Sequence, residues 1–140
     1  MLERGDIIIT ISEAEHDIIS TIWAEGRPLT TSEIVAFIPN KTWKDSAIHA
    51  HINDLIEKGI VGVVGMKRIG RTYARQFGTL ISSEDFLAVQ LKRNPIYKNN
   101  KNGNLRGVFA SLVEDEDISI STLIELENLI ADRIKEIERE

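Results

Sequence analysis

Apolar residues recur along the chain at helical spacing in its first third, then at strand spacing, then at helical spacing again. Ser12-Glu13-Ala14-Glu15 has the form of a capping box, in which Ser12 accepts from the Glu15 backbone and the Glu15 side chain reaches back. Ile18, Ile19, Ile22 and Trp23 follow at helical spacing, and Gly26 closes this first helix. Thr30-Thr31-Ser32-Glu33 repeats the start signal, with Ile34, Val35 and Ile38 as the apolar face and Pro39 as the stop. A third helix is predicted from Lys44 to Lys58, capped by Thr42 and closed by Gly59.

That third helix is two-sided. Ile48, Ile52, Leu55 and Ile56 form one core-facing stripe. Ser46, Ala47, Ala50, Asn53 and Asp54 point the other way with His49 on the flank, a small and polar face that could approach another surface closely. Ile60–Met66 and Thr72–Phe77 then read as two strands, joined by a cationic turn at Lys67-Arg68-Ile69-Gly70-Arg71. Three helices and a hairpin, in this order, make a winged helix-turn-helix, whose third helix enters a DNA major groove while the hairpin touches backbone.

From Ser82 the pattern is helical again. Ser82 or Ser83 caps a helix with Phe86, Leu87, Val89 and Leu91, and Asn94-Pro95 breaks it. Residues 96–104 are expected to be an exposed loop, and Leu105–Val113 a short apolar helix. Ser119 opens a final helix with Leu123, Leu126, Ile130, Ile134 and Ile137 on one side and acids on the other. Too few residues surround that apolar side to cover it, so a second copy of the chain is expected there. The predicted fold is mainly α with a small β-hairpin: a winged helix-turn-helix domain over residues 1–80, followed by a C-terminal helical dimerisation domain over 81–140.

Composition narrows the function. The 140 residues contain no cysteine, which excludes disulfides, thiolate metal sites and cysteine nucleophiles. No apolar run is long enough to span a membrane and no signal-peptide pattern opens the chain, so a cytoplasmic protein without membrane contact is expected. The net charge of −5 argues mildly against nucleic acid until its distribution is read. Residues 41–75 carry seven basic side chains against three acidic ones, and residues 92–113 carry five bases and no acid. Residues 114–140 hold ten acids and three bases. Because salt confines exposed electrostatics to about 10 Å, a basic stretch can bind phosphates on an acidic chain.

Catalysis finds little support. The three histidines are His16, His49 and His51, and the last two diverge around a helix, which speaks against a metal site. Gly62, Gly65 and Gly70 fit a hairpin and not a phosphate loop. Neither enzymatic activity nor a cofactor is expected.

Ile11-Ser12-Glu13-Ala14-Glu15, Ile22-Trp23, Trp43-Lys44, Ile48 and Leu55-Ile56-Glu57-Lys58-Gly59 stand in an order and spacing that resemble the penicillinase and methicillin-resistance repressors and their copper-responsive relatives, the BlaI/MecI/CopY family. Leu112–Ser119, followed by Leu123, Leu126 and Leu129, resembles that family's closing helices. The resemblance implies a homodimeric winged-helix transcriptional repressor whose C-terminal helices interlock and whose two reading helices meet a palindromic operator. The chain departs from the family at Asp54, where a basic residue is common, and in lacking the C-terminal cysteines of the copper branch. At the family's proteolytic cleavage position it has Ser111-Leu112. Proteolytic induction is therefore not carried over, and a sensor or protease partner stays an open alternative.

For DNA binding, Lys44, Ser46, Ala47, His49, Ala50 and Asn53 are expected at base edges or groove walls, with Asn53 suited to adenine. Lys41, Lys67, Arg68 and Arg71 are expected on phosphates. The expected dimerisation residues are Phe86, Leu105, Phe109, Leu112, Leu123, Leu126, Ile130 and Ile134. The other reading is a winged-helix dimeric adaptor that binds a protein instead of double-stranded DNA, with Asp54, Glu57 and the acidic first 40 residues in its favour.

Overall fold

The structure is a computed structural model describing residues 10–140. Its elements are α1 (Glu13–Glu25), α2 (Thr31–Phe37), a 3₁₀ turn (Asp45–Ala47), α3 (Ile48–Glu57), β1 (Val61–Ile69), β2 (Thr72–Thr79), α4 (Ser83–Arg93), α5 (Pro95–Asn99), α6 (Lys101–Val113) and α7 (Ile120–Glu138). They divide into two compact units, one ending at Asn94 and one running Pro95–Glu140.

Both expected capping boxes form. Ser12 Oγ accepts from the Glu15 amide at 3.2 Å while the Ser12 amide donates to Glu15 Oε1, and Thr30 and Glu33 repeat the exchange at the start of α2. These reciprocal bonds satisfy donors that a helix start otherwise leaves orphaned. The end of α3 is equally local. Gly59 takes φ 77°, a left-handed conformation that only glycine adopts without a Cβ penalty. Its amide reaches Ile56 O at 3.0 Å and the Ile60 amide reaches Leu55 O at 3.1 Å, the two bonds of a Schellman ending.

The first unit is a winged helix. Ile18, Ile19 and Ile22 of α1, Ile34 of α2 and Ile48, Ile52 and Leu55 of α3 meet Leu29, Ile60, Val61 and Phe77 in one buried core. Each fully buried aliphatic side chain contributes about 1.5–3 kcal/mol. The strands β1 and β2 pair antiparallel, with Ile69 opposite Thr72 and a bulge between Val63 and Gly65. Leu29 adds a bridge to the edge, exchanging backbone bonds of 3.0 and 2.7 Å with Phe77. The hairpin turn is tighter than the expected five residues: Gly70 and Arg71 alone connect the strands, with Gly70 at φ 61°.

Three expectations need correction here. The third helix does not start at Lys44 under a Thr42 cap. The 3₁₀ turn intervenes, and α3 begins at Ile48 without a side-chain cap. Residues 96–104 are not a loop, because Pro95 opens α5 and Asn100 caps α6 by accepting from the Gly103 amide at 3.1 Å. Phe86 is not available to a second copy. It is 2% exposed, joins the first unit's core and lies 5.4 Å from the Trp23 ring. With it, α4 belongs to the first compact unit, which extends past residue 80 to Asn94.

In the second unit, α5, α6 and α7 close no interior. No residue from 95 to 140 is buried, and Leu105, Val108, Leu112, Ile120, Ile124, Leu129, Ile130, Ile134 and Ile137 are exposed. Ser119 caps α7 as expected, accepting from the Thr122 amide at 3.1 Å. None of the helices among the described residues is long and apolar enough to cross a membrane.

Candidate nucleic-acid interface

With Ile48, Ile52 and Leu55 buried, helical geometry fixes what α3 turns outward. Ala50 and Glu57, seven residues apart, point almost directly away from the core, and Asn53 and Asp54 flank that line by roughly 50° on either side. His49, Ala50, Asn53, Asp54 and Glu57 are all exposed, as are Lys44 and Ser46 before the helix, while Ala47 is half-buried. The early part of this face is small, so another surface can approach the backbone closely.

The orientation of α3 is braced at both ends. Behind it, Lys58 Nζ lies 2.7 Å from Glu15 Oε2 and donates to Thr10 O at 2.8 Å, tying the end of α3 to the start of α1. Burial pushes the Glu15 carboxyl up, but the Lys58 hydrogen bond and the Ser12 bonds outweigh it, and the net shift is downward. Ahead of α3, the Trp43 indole donates to Asp17 Oδ2 at 3.0 Å and stands edge-on to His51 at 5.3 Å.

The cations sort into two groups. Lys41 is corrected from a phosphate ligand to a structural residue. It is 14% exposed, donates to Val35 O and Ile38 O at 3.1 Å each, and lies 2.9 Å from Asp45. The helix α2 ends in extended backbone at Ile38 without a glycine cap, so its last carbonyls need a donor, and Lys41 supplies one. Lys44, Lys67, Arg68 and Arg71 remain exposed. Arg68 Nε donates to Gly70 O at 3.1 Å within the wing tip. Arg75, unassigned from sequence, stacks over the Phe77 ring at 5.4 Å.

Sequence reading also missed the role of Glu33 beyond its capping box. Its Oε2 accepts from Arg27 at 2.9 Å and lies 3.5 Å from Lys67 Nζ, so one carboxylate joins the α1–α2 turn, α2 and the wing. The Arg27 hydrogen bond, followed by that of the Thr30 amide, lowers its pKa from 4.5 to about 2. Since the folded value is depressed, the stabilisation is complete above pH 4.5 and is lost as pH falls toward about 2. Glu33→Gln is expected to lower stability at pH 7 and to flatten the acid limb of a stability–pH profile in that window. An unchanged acid limb would show that this carboxylate holds nothing.

The structure thus brings the exposed face of α3 and the cationic wing together on one unit, and leaves Lys41 and Phe86 out. Leu105, Phe109, Leu112, Leu123, Leu126, Ile130 and Ile134 lie in the second unit, exposed or half-buried. No curated protein matches the chain significantly. The family model described as penicillinase repressor matches residues 11–132, spanning the winged helix and most of the C-terminal helices. The chain therefore belongs to the penicillinase repressor family, a family of transcriptional regulators and not of enzymes.

Proposed function

We propose that this chain is a homodimeric repressor that binds a palindromic DNA operator. The supporting observation is the exposed, small-to-polar face of α3, held by a buried core beside a wing that presents Lys67, Arg68 and Arg71. In this reading α3 enters the major groove, with Lys44, Ser46, Ala47, His49, Ala50 and Asn53 at bases or groove walls. The wing cations neutralise phosphates. The unit ending at Asn94 binds DNA, and residues 95–140 pair with a second copy through their exposed apolar side chains.

Selection from a random duplex library at ~0.1 M salt, followed by anisotropy titration across salt, tests the proposal. An inverted repeat bound by a dimer with a steep salt slope is expected. A folded dimer that enriches no sequence would overturn it. That result would favour the adaptor reading, which the exposed carboxylates of Asp54 and Glu57 on the α3 face support.

Replacing Arg68 and Arg71 together by Ala should weaken binding to every duplex alike. Four lost phosphate contacts, two from each protomer, lower the salt slope by about 3.6 and, at ~0.1 M salt, the affinity by roughly 10³–10⁴-fold. An unaltered slope would remove the wing from the interface.

A further inference from the structure

We infer that Asp54 reads a cytosine in each half-site, an assignment that rests on the DNA-binding reading above. Four other carboxylates of this unit are engaged: Glu15 by Lys58, Asp17 by Trp43, Glu33 by Arg27, and Asp45 by Lys41. The Asp54 carboxylate has no side-chain partner among the described residues, and it stands exposed as near the outward line of α3 as Asn53. Neither Lys nor Arg occurs from Asp45 through Glu57, so the reading helix approaches DNA with acceptors, amides and small side chains.

An ionised carboxylate only accepts hydrogen bonds. In the major groove, guanine offers two acceptors and thymine an acceptor and a methyl group. The adenine amine sits beside the N7 acceptor, whereas cytosine offers its N4 amine alone. Cytosine is therefore the base whose edge suits Asp54. Ala50, one turn earlier on the same side of the face, leaves space for the helix to come close enough for the contact. A phosphate would repel this carboxylate. Attraction to the backbone then falls to the wing cations and Lys44, while Asp54 contributes discrimination.

The experiment repeats the duplex selection with the full chain, Asp54→Ala and Asp54→Arg. The native chain should select cytosine at one position of each half-site, with a preference of about tenfold or more over other bases. Asp54→Ala should flatten that position and leave the others unchanged. Asp54→Arg should convert it to guanine, whose O6 and N7 accept from a guanidinium. The same selected sequence from all three proteins would overturn the assignment while leaving the DNA-binding reading intact. Tighter binding by Asp54→Arg to every duplex, with no base preferred at that position by any of the three proteins, would also overturn it, by placing residue 54 against phosphate. Absence of any enriched sequence with the native chain would overturn both readings.

Discussion

Replacing Leu126 and Ile130 by Glu should split the proposed dimer into monomers of 15.8 kDa and lower affinity for the proposed operator by about 10²–10⁴-fold. Both residues lie on α7, in a unit where no side chain is buried and apolar residues face solvent along two helices. Such exposure costs solubility unless another surface covers it. Two carboxylates placed there would have to be desolvated for a second copy to pack, which strongly disfavours association. The loss on DNA follows from linkage: a dimer's second half-site binds at the effective concentration set by the first, whereas two monomers must each bind separately. Because the winged helix has its own core, its thermal transition should persist in the variant. Sedimentation at several concentrations together with operator titration checks this, and a variant that stays dimeric would place the association surface elsewhere.

Phe77→Ala should have the largest effect on the winged helix, costing about 3–5 kcal/mol. Phe77 is 2% exposed and packs in the core on β2. Its backbone bridges to Leu29 and its ring lies under the Arg75 guanidinium. Truncation leaves a cavity where the helices meet the base of the wing, and removes the surface on which Arg75 rests. Against a typical total of about 5–15 kcal/mol, the loss would shift the urea midpoint strongly with little change in slope. Phe77→Leu, which keeps much of the volume, should recover most of the stability. A Phe77→Ala midpoint within experimental error of the native one would contradict the packing described.

Much of the winged helix is legible in the sequence because its signals are local. The Ser12 and Thr30 boxes, Gly26, Gly59 and the Ile48–Ile52–Leu55 stripe act within a turn or two of themselves, and the structure forms each of them. The misreadings have different causes. The polar composition of 96–104 suggests a loop, yet Pro95 at a first helical position and Asn100 as a cap turn the same residues into helices. Lys41 looks like any surface cation, because the need of α2's final carbonyls for a donor appears only once the chain beyond Ile38 folds back. Phe86 has the spacing of an amphipathic helix, and spacing does not say which core the helix joins. The Glu33–Lys67 approach links residues far apart in sequence and has no local sign.

The bulge in β1 bears on how this wing can vary in length. Val63 pairs with Phe77 and Gly65 with Gln76, so Val64 is an extra residue that no partner counts. A chain lacking Val64 could keep every pairing out to Ile69 and Thr72, with Lys67 and Arg68 on the faces they now occupy. Loss of one residue beyond the bulge would instead slip the ladder and exchange the two faces of β1. Deletion of Val64 should therefore leave the ladder and the cations near its tip in place, whereas deletion of Met66 should not.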